Sequence, residues 1–273
     1  MHDIRFHRPR PARAAATKST RRVIAVCGKG GVGKTAFSAL LTSELARRPE
    51  AGSVLAVDAD PALGLALALD MGDVPTVGEV RESLIRAAQV GDEEQEQLIA
   101  EHLDGLIMDA VVEGDGFALL AMGRSDALGC YCSVNDILRD AIELLASRFD
   151  TVVIDGEAGL EQINRQVLGQ VDHLLLLSDG SARSLATVNV LQDIAQRDGI
   201  APAEGIGIVY NRSTFSVDEL VEQSHNLGAP IVAHLPFDEA LIAADAACMP
   251  LSSLGLENPA AHAVAHLVDD LLG

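Results

Sequence analysis

Gly28-Lys29-Gly30-Gly31-Val32-Gly33-Lys34-Thr35 is the stretch that decides the fold. An apolar run, Val23-Ile24-Ala25-Val26-Cys27, leads into it, and an amphipathic run from Ala36 to Arg47 follows. Strand, glycine-rich loop and helix in that order form the setting of a phosphate-binding loop. The glycines let the backbone curl until its N–H groups point inward at phosphate oxygens. The helix that starts near Ala36 adds the positive end of its dipole. In that setting Lys34 reaches the β- and γ-phosphates of a nucleotide such as ATP, and Thr35 places its hydroxyl on Mg²⁺.

Working outward, the second strand reads Ser53 to Asp60 and ends in Asp58-Ala59-Asp60-Pro61. Its continuous apolar run suits a parallel strand buried on both faces. Carboxylates at the C-terminal end of such a strand stand on the ligand-binding edge of the sheet. Thr151 to Asp155 is a further strand, and Asp155 sits where a carboxylate supports a Mg²⁺-bound water. The Gly156-Glu157-Ala158-Gly159 stretch after it allows a loop that rearranges around the γ-phosphate. Further strands are expected at Phe117–Met122, His173–Ser178, Ile206–Tyr210 and Ile231–Leu235. Helices are expected at Glu79–Val90, at Ser184–Asp198, after Ser216 and at Pro259–Leu272. Residues 91–104 read as an acidic helix or loop.

A second signal is Gly129-Cys130-Tyr131-Cys132-Ser133. Two thiolates leave an ion such as Zn²⁺ short of the four ligands of a closed site. A symmetric dimer supplies four sulfurs by facing two such pairs across its two-fold axis. Ser133 and Asp136 stand at capping-box spacing before a stripe of Val134, Ile137, Leu138, Ala141, Ile142 and Leu145. Cys132 is therefore expected at a helix N-terminus, where the dipole favours the thiolate. The plainer reading, two small buried residues, stays open beside it. Cys27 reads as core packing, and Cys248 has no partner that sequence can show. His262 and His266 are four apart on the last helix, but sequence places no third ligand near them, so solvated or half-buried rings are expected.

The 273 residues are 48% hydrophobic, without Trp and with few aromatics, so the core must be aliphatic. The net charge of −20 opposes nucleic-acid binding and adhesion to an anionic membrane. Residues 1–22 hold seven Lys or Arg and one acid, a net of +6, which leaves −26 on the rest. Residues 1–20 are expected to be a disordered basic arm and 21–273 a single domain. No apolar run is long enough to span a membrane and no signal core opens the chain, which implies a cytoplasmic protein with reduced thiols.

With these residues in view, the loop with its early Lys29 resembles the deviant Walker A loop of the MinD/ParA/nitrogenase-iron-protein superfamily. The resemblance implies an α/β, three-layer P-loop NTPase fold, a mostly parallel sheet with helices on both faces. It implies that Gly28 to Ala36 bind ATP and that Lys29 reaches the partner's nucleotide across a homodimer. It implies that Asp60 orients the attacking water, and that Asn211, Arg212, Pro236 and Asp238 border the adenine. Gly-Cys-Tyr-Cys together with Glu157-Ala158-Gly159-Leu160-Glu161 is similar to the CooC-type accessory ATPases that mature nickel carbon monoxide dehydrogenase. That likeness implies Ni²⁺, with Zn²⁺ able to compete, between Cys130 and Cys132 of two subunits, and a client metalloenzyme of that type. Soft thiolates alone do not select nickel over zinc. Three departures stand out: Gly64 where relatives carry asparagine, Gln162 where they often carry histidine, and Gly156 where they often carry methionine or threonine. Rivals are a MinD- or ParA-type positioning ATPase, an iron–sulfur reductase, and a binding module that barely hydrolyses ATP. The last helix lacks the basic residues a membrane-binding MinD helix needs. Reductases of this group space their cluster cysteines far apart.

Overall fold

The computed structural model of the chain describes residues 21–90, 103–124, 132–156, 171–197, 202, 204–224 and 227–273. The basic arm, Cys130, the loop from Glu157 to Gln162 and most of the acidic stretch expected at 91–104 lie outside the described residues.

In chain order the elements are β1 (Arg22–Gly28), α1 (Lys34–Ala46), β2 (Val54–Asp58), α2 (Gly64–Ala68), α3 (Val77–Val90), α4 (Leu103–Asp109), β3 (Val111–Glu113), β4 (Phe117–Ala121) and α5 (Cys132–Ala146). They continue with β5 (Thr151–Asp155), β6 (His173–Ser178), α6 (Ala182–Arg197), β7 (Gly205–Ser213), α7 (Val217–Ser224), β8 (Ile231–Pro236), α8 (Glu239–Ala246) and α9 (Pro259–Leu272). The strands form one eight-stranded sheet in the order β3-β4-β2-β5-β1-β6-β7-β8. Only the short edge strand β3 runs antiparallel, to β4.

The central strands are apolar on both faces because both faces are covered. Along β1, Val23, Ala25 and Cys27 enter one apolar layer with α3, α4, α5, α6 and α7. Ile24 and Val26 enter the other with α1, α2, α8 and α9. Helix α1 is buried on nearly every side, from Ala36 through Leu45, wedged between the sheet and α9. Its last turn is tied down by Arg48, which bridges Glu44 at 2.9 Å and Asp269 of α9 at 3.1 Å.

Since β1, β2, β5, β6, β7 and β8 are parallel, their C-terminal ends share one edge. Connections leave β1 toward β2 on one side, and β5 crosses over to β6 on the other, which opens a crevice at that edge. Some boundaries differ from the sequence reading. Strand β2 stops at Asp58, not Asp60, because the Asp58 side chain turns the following residues into α2. Strand β7 runs on to Ser213, carried past Tyr210 by pairing with β8 through a register shift. Helix α5 already includes Cys132, one residue before Ser133, and the side chains of Ser133 and Asp136 lie outside the described residues. Ser216 and Glu219 do form a reciprocal capping box, with Ser216 N–H donating to Glu219 at 2.8 Å.

Candidate nucleotide site

The glycine-rich loop leaves β1 buried at Gly28, surfaces at Gly30 and Gly31, and returns as α1. Two of its glycines have left-handed backbones, Gly31 at φ 82° and Gly33 at φ 87°. At Gly33 a Cβ would also meet Asn211 Nδ2 at 2.5 Å, so backbone and neighbour both require glycine. Lys34 Nζ donates to the Lys29 carbonyl at 3.3 Å, which holds the Lys34 ammonium against the loop.

Beneath the loop the ends of β2 and β5 bring Asp58 and Asp155 side by side in register. Ser38 Oγ donates to Asp155 Oδ1 at 2.9 Å, fully buried, and the Thr35 hydroxyl also bonds this carboxylate. Burial pushes the Asp155 carboxyl up to about 6. The Ser38 and Thr35 hydroxyls and Lys34 oppose that rise, and Asp58 adds to it. A hydroxyl and a carboxylate in contact, with the carboxylate short of positive charge, are the oxygen donors that fit Mg²⁺. Asp58 also rises to about 6, again chiefly through burial, against the N–H groups of Ala66, Asp60 and Leu65. Asp60 is half-buried on the turn after β2 and accepts from Ala62 N–H at 2.8 Å.

On the other side of the loop, Asn211 is buried and donates from Nδ2 to the Val32 carbonyl at 2.8 Å. Its Oδ1 is buried with no partner among the described residues, which leaves an acceptor suited to a ligand amine. Arg212, at φ 55°, places Nε 3.6 Å from where a Gly33 Cβ would stand. Pairing of Ser213 with Pro236 lays the start of the β8–α8 turn beside them. Asp238 in that turn is already engaged. One oxygen caps α8 by accepting from Leu241 N–H at 3.0 Å, and the other accepts from Asn258 Nδ2 at 2.6 Å. Asn258 in turn caps α9. Asp238 is therefore a frame for that border rather than a spare ligand.

Of the residues singled out from sequence, Lys29, Lys34, Thr35, Asp60, Asp155, Asn211 and Arg212 do gather around the loop. Three further residues are placed against this cluster by the structure. Ser38 lies three residues after Thr35 on the same helix face, which is the one sequence clue to it. Asp58 holds the turn that carries Asp60. Asp179 follows β6, and burial alone would raise its carboxyl. The Ser181 hydroxyl and N–H, together with Lys29, hold it below the ordinary range. No sequence pattern marks Asp179.

The cysteines divide. Cys27 is fully buried directly under the loop, its thiol pushed up to about 12 by burial, as core packing requires. Cys248 is exposed. Cys132 opens α5 as expected. His262 and His266 stand exposed with ring centroids 4.5 Å apart, edge to face. Among the described residues no group of three or more His, Cys, Asp or Glu is placed to hold a metal, and no helix is long and apolar enough to cross a membrane.

Known proteins agree with this geometry. The AAA domain family matches residues 21–197. An uncharacterised ATP-binding protein of Methanocaldococcus jannaschii is 34% identical over 251 residues, spanning 92% of this chain and 98% of its own. The carbon monoxide dehydrogenase accessory protein CooC of Rhodospirillum rubrum is 30% identical, spanning 84% of this chain and 90% of its own. In fold, the septum site-determining protein MinD of Pyrococcus horikoshii, solved with Mg-ADP, aligns with a TM-score of 0.66 at 22% identity, over 92% of this chain and 95% of that one. With a loop, a carboxylate pair and a sheet order that all converge on nucleotide binding, the chain belongs to the AAA-domain family of P-loop ATP-binding proteins and has the MinD/ParA fold.

Proposed function

We propose that the protein hydrolyses ATP to ADP and phosphate and uses that cycle to load and release a thiophilic metal ion. The observation that carries the hydrolytic part is the cluster of Thr35 with the buried Asp155 and Ser38 beneath a loop bearing both Lys29 and Lys34. Backbone N–H groups of Gly30 to Thr35 take the phosphate oxygens, and Lys34 neutralises the β- and γ-phosphates. Thr35 and Asp155 would hold Mg²⁺, which would supply charge neutralisation to the phosphates. Asp60 orients water in line with the γ-phosphate. Lys29 leaves the field of Asp179 and reaches the nucleotide of a second copy as two chains close face to face. Asn211 Oδ1 accepts from the adenine amine, with Arg212 and Pro236 along its border and Asp238 fixing that border from behind.

The cargo is Ni²⁺ or another thiophilic divalent ion, taken between Cys130 and Cys132 of two chains. The likeness to CooC over 84% of this chain and 90% of that protein supports this, as does the position of Cys132 at the start of α5, where the helix dipole favours a thiolate. The client is a metalloenzyme of the carbon monoxide dehydrogenase type. The cycle runs in the cytoplasm, where thiols stay reduced.

Anaerobic titration with Ni²⁺ and Zn²⁺, with mass read by light scattering with and without ATP, tests this reading. One ion per two chains with a thiolate charge-transfer band, abolished in the Cys130→Ala, Cys132→Ala double variant while ATP binding persists, is the expected result. Absence of metal binding would leave an ATP switch of the MinD/ParA kind and remove the delivery role. Tight binding by monomers would move the ligands into one chain.

A further inference from the structure

The turn that carries Asp60 is held by a side chain that is itself sealed from solvent. Asp58 is fully buried at the end of β2. Its Oδ1 accepts from Asp60 N–H at 3.1 Å, and its Oδ2 accepts from Leu65 N–H at 2.9 Å and Ala66 N–H at 3.2 Å. One carboxylate thus grips both ends of the segment from Asp60 to Ala66. Leu63, within it, is left-handed at φ 57°, a conformation that needs outside support in a leucine. The far side of the segment rests on the nucleotide loop: a Cβ on Gly64 would stand 3.3 Å from Thr35 Cγ2. A side chain at 64 would therefore press on the threonine proposed to hold Mg²⁺. The Asp58 backbone is anchored too, its carbonyl accepting from Met122 N–H at 2.8 Å.

A buried carboxylate at a strand end is costly where an apolar residue would pack as well. Three charge-assisted N–H bonds offset that cost, and all three fix backbone on either side of Asp60's turn. We propose that Asp58 is a positioning residue for hydrolysis, acting through Asp60 by fixing the distance and angle at which its carboxylate meets the attacking water. The proposal rests on the reading of Asp60 as the group that orients that water. Displacement of such a group by even about an ångström lowers rates strongly while leaving ground-state binding alone.

Steady-state ATP turnover and binding of a fluorescent ATP analogue, both with Mg²⁺ and the full chain, test it in Asp58→Asn and Asp60→Ala. Asparagine keeps the shape but turns an amide donor toward N–H groups. The expected result for Asp58→Asn is a kcat lower by about 10–100-fold with KM and Mg-nucleotide affinity within about threefold of the parent. A role in stability alone would lower Tm and leave kcat unchanged well below it. Unchanged kcat beside an inactive Asp60→Ala overturns the proposal by itself. Parental turnover by Asp60→Ala overturns the reading of Asp60, and the proposal with it. A tenfold or greater loss of Mg-nucleotide affinity in Asp58→Asn also overturns it, by making Asp58 a ligand. Should Asp58→Asn not fold, Gly64→Ala moves the same turn from the other side. A fall in kcat at constant KM is expected there, and an unchanged kcat overturns the proposal.

Discussion

Asp155 keeps its proton up to about pH 6 because burial outweighs the hydroxyls of Ser38 and Thr35. An unfolded chain gives up that proton near the ordinary 3.8. Between those values the folded state binds more protons than the unfolded state, so stability falls as pH rises through the window, and the loss is complete above pH 6. Asp155→Asn is accordingly expected to stabilise the nucleotide-free protein by up to about 3 kcal/mol at pH 8 and by little at pH 4. Chemical denaturation at the two pH values measures this, and equal effects at both would show that the buried charge is not the cause. On the reading of Asp155 as a Mg²⁺ ligand the ion displaces that proton, so Mg²⁺-dependent nucleotide affinity is expected to weaken below pH 6. Asp155 itself was legible in the sequence as the carboxylate closing an apolar strand. Ser38 was not, because the group that gives it meaning lies 117 positions away. Asp179 was hidden for the same reason, since its field partner Lys29 belongs to a loop on another strand.

Among the elements, those read correctly from sequence are long or end in a strong local signal: β1 before its loop, β5 before Asp155, and α9 behind the Asn258 cap. Those missed are short. Helix α2 has five residues and strand β3 three, too few for a period to show. Helix α8 depends on Asp238, whose carboxylate caps it and also ties down Asn258 at the head of α9. Asp238→Ala removes both and should cost about 1–2 kcal/mol of stability, read from a urea midpoint. No change would mean that water replaces the carboxylate at both caps. The junction of loop and α1 is less forgiving. Gly33→Ala places a methyl 2.5 Å from Asn211 Nδ2 in a left-handed backbone, with a loss of about 1–3 kcal/mol. Adding Asn211→Ala should restore the part due to the clash and leave the part due to φ. A double variant no more stable than Gly33→Ala alone would assign the whole cost to the backbone.

For the whole molecule, composition forecast an aliphatic core and the strand pattern a parallel sheet, and both describe the structure. Strand order was beyond reach, because it depends on which crossovers pack together rather than on any one stretch. The charge of −20 makes the folded chain repel itself. Raising salt from about 20 to 200 mM should lift Tm by roughly 2–4 °C through screening, and a flat or falling Tm would show that ion pairs such as Arg48–Asp269 dominate instead. Cys27, sealed under the loop in a central strand with its thiol held far from ionisation, carries a separate consequence. In the Cys130→Ala, Cys132→Ala double variant, a maleimide or disulfide reagent reaches Cys27 only when β1 leaves the sheet, while Cys248 on the surface is labelled at once. The slow phase of labelling is thus a clock for global opening. Any ligand that binds only the folded form slows that clock in proportion to one plus its concentration over its Kd. Mg-ATP should stretch the slow phase and leave the fast one untouched, so that a native thiol, with no dye or tag, reports nucleotide affinity from the interior of the protein.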